Sequence, residues 1–94
     1  MSKKTPLSNE QITTLGTVKQ LNDKGVRPDK GRIFTLSLEN DHTRRYEYYD
    51  IVDGLVQDEL LELHIENYGS AARWFYFSIT AAGIKELRKA LKKV

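Results

Sequence analysis

The chain has 94 residues and no cysteine, so it has room for one small hydrophobic core and lacks disulfides and thiolate metal sites. Its hydrophobic and charged residues, 39% and 30% of the total, are typical of a globular domain rather than a disordered chain. No apolar run is long enough to span a bilayer. Residues 1–6 do not resemble a secretory signal, which predicts a cytoplasmic protein.

The net charge of +2 conceals a strong segregation along the chain. Residues 1–38 carry seven basic and three acidic side chains, a net +4, and residues 67–94 carry six and one, a net +5. Residues 39–66 carry two basic and nine acidic side chains, a net −7. Such a pattern excludes a uniformly basic surface, so nucleic-acid binding depends on which charges share a face.

The first predicted element is a helix over residues 9–24, after a flexible basic tail at residues 1–7. Ser8 and Gln11 match the capping box that begins many helices. Four apolar residues then recur at helical spacing, namely Ile12, Leu15, Val18 and Leu21. Gly25 is a plausible helix stop.

The next stretch is ambiguous between a helix and a strand. Residues 26–31 are typical of a loop. In residues 32–39, the alternation of Phe34, Leu36 and Leu38 favours a strand, but the same residues also fit one side of a short helix. The order of the elements that follow favours the helix, which is our prediction.

The third predicted helix covers residues 43–58. Its predicted buried stripe consists of Tyr48, Tyr49, Val52, Leu55 and Val56, and its predicted outward face of Tyr46, Glu47, Asp50, Gly54 and Gln57. The alternation of Leu61, Leu63 and Ile65 with polar residues then predicts a half-buried strand.

A turn at residues 67–70 and an aromatic second strand at residues 73–79 complete a predicted hairpin. About half of its aromatic side chains are expected in the core. Thr80 is the expected cap of a basic last helix.

Two motifs in the second half of the chain are similar to one fold family. Val52-Asp53-Gly54-Leu55-Val56-Gln57-Asp58-Glu59-Leu60-Leu61-Glu62-Leu63 resembles the end of a recognition helix that runs into a β-hairpin wing, with Glu59 where glycine is common. Tyr76-Phe77-Ser78-Ile79-Thr80-Ala81-Ala82-Gly83-Ile84-Lys85-Glu86-Leu87 resembles the aromatic-x-x-Leu-Thr-x-x-Gly-x-x-x-Leu signature that closes the wing, with Ile79 replacing leucine. The chain thus resembles winged helix-turn-helix domains of small prokaryotic and archaeal-virus regulators.

This resemblance implies an α+β fold over residues 8–94, with three helices, a two-stranded wing and a C-terminal helix. It also implies a homodimeric transcriptional regulator that binds duplex DNA through helix 43–58 and wing 67–73. The implied DNA contacts are Thr43, Arg44, Arg45, Tyr46, Tyr68, Ser70 and Arg73. The implied dimer contacts are Ile84, Leu87, Leu91 and Val94.

The acids of the third helix leave a second function open. Carboxylates on a DNA-reading face repel phosphates. The acidic face could instead dock a basic protein partner, and its members are Glu39, Asp41, Glu47, Asp50 and Asp53.

Chemistry beyond binding is not expected from this sequence. The two histidines, His42 and His64, lack a third metal ligand at a set spacing. No catalytic constellation or phosphate-binding loop is recognisable, so we expect neither an enzyme nor a cofactor.

Overall fold

The computed structural model of the protein describes residues 7–38, 45–69 and 72–92. Within these ranges the elements follow the order α1 (Asn9–Asp23), α2 (Lys30–Leu38), α3 (Arg45–Gln57), β1 (Leu61–Tyr68), β2 (Ala72–Ile79) and α4 (Ala81–Lys92). The strands form a two-stranded antiparallel sheet. The α+β class and the predicted order of elements are confirmed.

Helix α1 begins with the predicted capping box. The Gln11 amide donates to Ser8 Oγ at 3.1 Å, and the Ser8 amide donates to Gln11 Oε1 at 2.8 Å. At the other end Gly25 has φ +81°, and the Val26 amide donates back to the Leu21 carbonyl at 2.8 Å. Together these features form the glycine-terminated end that closes many helices.

The ambiguous stretch of residues 32–39 belongs to a helix, α2. This helix begins at Lys30, two residues earlier than predicted. Asp29 is its cap, since Asp29 Oδ1 accepts from the Arg32 amide at 2.8 Å. Ile33 and Phe34 are consecutive and both buried, which a strand with one face in solvent cannot achieve because its side chains alternate. The prediction of a helix is confirmed as far as Leu38, and Glu39 lies outside the described residues.

Helix α3 ends in a tight turn, and the N-terminus of α4 packs against this turn, forming the α3–α4 corner. Glu59 adopts φ +66°, and the Leu60 amide donates to the Leu55 carbonyl at 2.9 Å, so Glu59 occupies the left-handed position that usually takes glycine. Thr80 Oγ1 donates to the Glu59 carbonyl at 2.7 Å and accepts from the Gly83 amide at 2.9 Å. This bonding accounts for the threonine of the Thr-x-x-Gly motif, and the close approach of the Leu60 carbonyl to Gly83 accounts for the glycine.

The core lies where the helices meet the base of the hairpin. Its fully buried members include Leu15, Val18, Ile33, Phe34, Tyr48, Val52, Leu55 and Leu61. The predicted stripe of α3 is confirmed: Tyr48, Val52 and Leu55 are buried, while Tyr49 and Val56 are half-buried. The Tyr48 hydroxyl is hydrogen-bonded to Thr14 of α1.

The hairpin departs from the predicted half-buried pattern. Leu61 is 1% exposed, but Leu63 and Ile65 on the same face are 43% and 55% exposed. On β2, Phe77 is buried whereas Phe75, opposite Ile65, is 45% exposed. The prediction is therefore wrong for the outer half of the hairpin, because the strands extend past the end of the core.

The outer edge of β2 is covered by the loop between α1 and α2. The Phe77 amide donates to the Pro28 carbonyl at 2.9 Å, and the Ile79 amide donates to Asn22 Oδ1 at 2.9 Å. These bonds satisfy strand amides that would otherwise face solvent. They also fix the hairpin against α1 and α2. In the described parts of the chain, the helices are too short and too polar to cross a membrane.

Candidate nucleic-acid interface

Two of the predicted DNA contacts have described side chains, and both are exposed. Tyr46 is 78% exposed in the first turn of α3. Arg73 is exposed on β2, opposite Asn67 of β1. Side chains with this exposure are accessible to a large partner.

The other predicted DNA contacts cannot be placed. Thr43, Arg44 and Ser70 lie outside the described residues. Arg45 and Tyr68 belong to α3 and β1, but their side chains are outside the described part of the structure. Their roles remain predictions.

The outward face of α3 is acidic, as the sequence indicated. Glu47, Asp50 and Asp53 are all exposed. Lys30 of α2 compensates one of these charges, with its Nζ 2.9 Å from Asp53 Oδ1. Glu39 and Asp41, the other members of the predicted acidic face, lie outside the described residues.

An open groove of about 750 Å³ lies beside α3, between the α1–α2 loop, α2 and β2. We call it the Trp74 groove. The side chains that give it its chemistry are Arg27, Arg32, Phe34, Tyr49 and Trp74. Its volume falls within the range of small-molecule sites in proteins, and its surface combines cations and aromatic rings with the carboxylate of Asp29.

One wall of the Trp74 groove is a preassembled stack on the hairpin. The Arg27 guanidinium lies 5.0 Å from the ring centre of Trp74 and 4.7 Å from that of Tyr76. Arg27 Nη1 also donates to Glu66 Oε2 at 2.8 Å. These contacts hold a planar cation against two rings, an arrangement that cation–π attraction stabilises.

The Arg27 guanidinium is charged, as arginine side chains are in proteins, and its hydrogen bonds stabilise this charged form. Its bond to the Tyr76 hydroxyl, at 3.3 Å, is the largest influence that raises the pKa of Arg27, and the charge of Glu66 acts in the same direction. The Tyr76 hydroxyl in turn donates to Glu66 Oε2 at 3.2 Å. Behind the stack, the His64 ring lies parallel to Tyr76 with ring centres 4.8 Å apart.

Tyr49 joins the Trp74 groove to the exposed start of α3. It lines the groove, its ring centre is 6.3 Å from that of Tyr46, and Lys30 Nζ lies 5.4 Å from its ring centre. Arg32, on the first turn of α2, is exposed. Tyr46 and the groove are therefore joined through Tyr49 into one aromatic surface, whose Tyr46 end lies beside the exposed acids Glu47 and Asp50.

The sequence alone did not bring the residues of this surface together. Arg27 and Trp74 are far apart in the chain. About half of the aromatic residues of β2 were expected in the core, and base stacking by Trp74, Phe75, Tyr76 and Phe77 was the less favoured alternative. The one available signal was the alternation itself, which places Trp74 and Tyr76 on the face opposite Phe75 and Phe77.

The predicted dimer contacts are spread between core and surface. Leu87 is 5% exposed and belongs to the core of its own chain, whereas Leu91 is 58% exposed. Ile84 is half-buried. Val94 lies outside the described residues, and the dimer stays a prediction.

No group of metal-ligating side chains large enough to hold an ion occurs in the described ranges. His64 Nε2 is 2.8 Å from Ser78 Oγ, which gives this histidine a structural partner. His42 lies outside the described residues.

The chain matches no protein-family model and no curated protein sequence. The case for a function therefore depends on the fold and on this surface.

Proposed function

We propose that this protein is a winged helix-turn-helix domain that binds duplex DNA and regulates transcription, with α3 as the reading helix and the β1–β2 hairpin as the wing. The observation that carries the proposal is the attachment of the hairpin to the α1–α2 loop by the bond from the Phe77 amide to the Pro28 carbonyl. This attachment gives the hairpin a fixed position relative to α2 and α3. A fixed helix pair with an adjoining wing is how such domains contact a groove and the flanking backbone together.

The exposed side chains divide into two roles under this proposal. Tyr46, at the start of α3, contacts base edges or the sugar-phosphate backbone in the major groove. Arg73, on the hairpin, neutralises a phosphate beside it. Arg44 and Arg45, predicted at the same end of α3, add the positive charge that this end requires.

The test is an unbiased selection from random duplexes at low salt, followed by affinity measurements over a salt series. We expect a preferred sequence and a log affinity that falls linearly with log salt concentration. Arg73→Ala lowers the slope by about one, the value for one lost phosphate contact. Arg88→Ala, which removes an exposed charge from α4, leaves the slope unchanged. Failure to retain any duplex at low salt would refute the proposal.

The acidic face of α3 favours a second function, the docking of a basic protein. Glu47 and Asp50 are exposed beside Tyr46, where they repel phosphates and attract cations. The variant Glu47→Gln/Asp50→Asn separates the two functions. It gains duplex affinity if α3 reads DNA, and it loses affinity for a basic protein if α3 docks one.

A further inference from the structure

We propose that the Trp74 groove binds an unpaired nucleotide of single-stranded DNA, with the base stacked on the Arg27–Trp74 wall and the phosphate held by Arg32. The first support is the composition of the groove. Trp74 and Tyr49 supply aromatic rings, and Arg32 supplies positive charge. The Arg27 guanidinium supplies a planar group whose charge is paired with Glu66, and Asp29 is the acid of the lining. Proteins that bind single strands combine aromatic rings with positive charge, because each base has a π-face and each linkage a negative charge.

The wall is built before any ligand arrives. Arg27 is held against Trp74 by Glu66, at 2.8 Å, and by Tyr76. Its guanidinium side chain is nevertheless 47% exposed, and both Arg27 and Trp74 reach the groove. Bases stack on arginine planes as well as on aromatic rings. A base entering the groove extends an existing stack, so little ordering of side chains opposes binding.

The cation for the phosphate stands on a separate element. Arg32 is exposed on α2 and makes no ion pair with a described residue, in contrast to Lys30, which pairs with Asp53 at 2.9 Å. Its backbone is fixed, since its amide donates to Asp29 Oδ1. A free guanidinium on a fixed helical turn forms charge-assisted bonds to a phosphate without first breaking an ion pair.

The groove selects an unpaired nucleotide because stacking on the Arg27–Trp74 wall needs a base whose face is accessible. In a duplex the base faces are covered by their neighbours, and only the base edges and phosphates are accessible. This inference goes beyond duplex recognition by α3 and does not depend on it. It assigns a separate ligand to a surface that joins α3 at Tyr49.

Trp74 is the only tryptophan of the chain, so its fluorescence reports directly on the groove. We would titrate the 94-residue protein with a short oligothymidylate, with an abasic strand of the same length and with a blunt-ended duplex. The oligothymidylate is expected to quench Trp74 and to bind about fivefold or more tightly than the abasic strand, the lower end of the contribution from stacking one base. Equal affinity for the two strands, or binding without a change in fluorescence, overturns the proposal.

Two arginine variants test the role of the phosphate contact. Arg32→Ala is expected to weaken oligothymidylate binding several-fold and to reduce its salt dependence, whereas Arg88→Ala on α4 leaves both unchanged. An equal loss in the two variants would mean that only general positive charge matters, and it would overturn the role of Arg32. The comparison with the abasic strand uses the unaltered protein, so it holds whether or not a variant folds.

Binding of the blunt-ended duplex, measured beside that of oligothymidylate, shows whether the groove proposal or the proposed function has failed. Sequence-selective duplex binding with no quenching by oligothymidylate refutes the groove and leaves the reading helix intact. Quenching by oligothymidylate with no duplex binding refutes the reading helix and leaves the groove intact.

Discussion

Gly83, in the α3–α4 corner, has less room for a side chain than the other five glycines of the chain. A Cβ at this position would lie 2.2 Å from the Leu60 carbonyl oxygen and 2.8 Å from Ile79 Cγ1. The Leu60 oxygen also accepts from the Thr80 amide at 3.1 Å, so the backbone cannot move aside without losing this bond. We predict that Gly83→Ala lowers the free energy of unfolding by about 2 kcal/mol or more.

Gly54 supplies the matched control for this substitution. It also lies in a helix, but beyond its own helical turn and chain neighbours no atom of the described residues lies within 4 Å of a Cβ placed on it. Gly54→Ala is expected to raise the free energy of unfolding by about 0.5–1 kcal/mol, because alanine favours the helix. Urea unfolding of both variants measures the difference, and a Gly83→Ala protein as stable as the wild type would contradict the packing of this corner.

At the scale of single residues, the sequence predicted features that depend on neighbours in the chain. Ser8 with Gln11, and Thr80 as a cap, were found because the partners of a cap lie within one helical turn. The Asp29 cap was missed, since its Pro-Asp-Lys-Gly setting is equally typical of a loop. The cluster around Arg27 was not predictable, because its partners lie on distant strands.

At the scale of elements, one buried contact joins α3 to α1. The Tyr48 hydroxyl is hydrogen-bonded to Thr14, and Tyr48 is fully buried. Thr14 Oγ1 also donates to the Glu10 carbonyl at 2.7 Å, so it keeps a partner when the phenol is removed. We therefore expect Tyr48→Phe to cost only about 1 kcal/mol at neutral pH, the usual net contribution of one hydrogen bond.

The burial of the Tyr48 side chain also makes stability depend on alkaline pH. Burial raises the pKa of Tyr48 above its ordinary value, which is about 10. The stabilisation by the neutral phenol is complete below that pH and is lost as the pH rises further, because the unfolded chain releases its proton first. We predict that the free energy of unfolding falls less steeply above pH 10 in Tyr48→Phe than in the wild type. Tyr46→Phe, whose ring is 78% exposed, should retain the wild-type slope, and equal slopes in all three proteins would contradict the assignment.

Helix α2 and the hairpin show how far the periodicity of the sequence predicts the elements. Local alternation favoured a strand at residues 32–39, but packing of the adjacent Ile33 and Phe34 against the core selects the helix. Alternation was right about the strand that begins at Leu61, but the prediction of a turn was wrong at Asn67 and Tyr68, which extend the strand and pair with Arg73 and Ala72. Alternation also could not show where the core ends. The period of the apolar residues shows which side chains share a face of a helix or strand. Whether that face is buried depends on which element packs against it.

At the scale of the whole molecule, the charge segments of the sequence are partly brought together by folding. Arg27 pairs with Glu66 at 2.8 Å, and Lys30 with Asp53 at 2.9 Å. Both pairs join the basic first segment to the acidic middle segment. The net charge of a segment is therefore a poor guide to the surface that a partner meets, and the exposed side chains of each face are the better guide.

The exposed acids on the outward face of α3 provide the sharpest test of the DNA-binding proposal. Neutralising both in Glu47→Gln/Asp50→Asn removes repulsion near phosphates without adding bulk, so duplex affinity at low salt should rise about two- to fivefold per charge, the range for exposed charge pairs. The control Asp23→Asn/Glu86→Gln removes two charges from α1 and α4, where Asp23 pairs with Lys19 and Glu86 with Lys89. It changes the net charge equally but lies outside the proposed contact surface. An equal gain in both variants would show that only net charge matters, and α3 would then not be the element that faces the DNA.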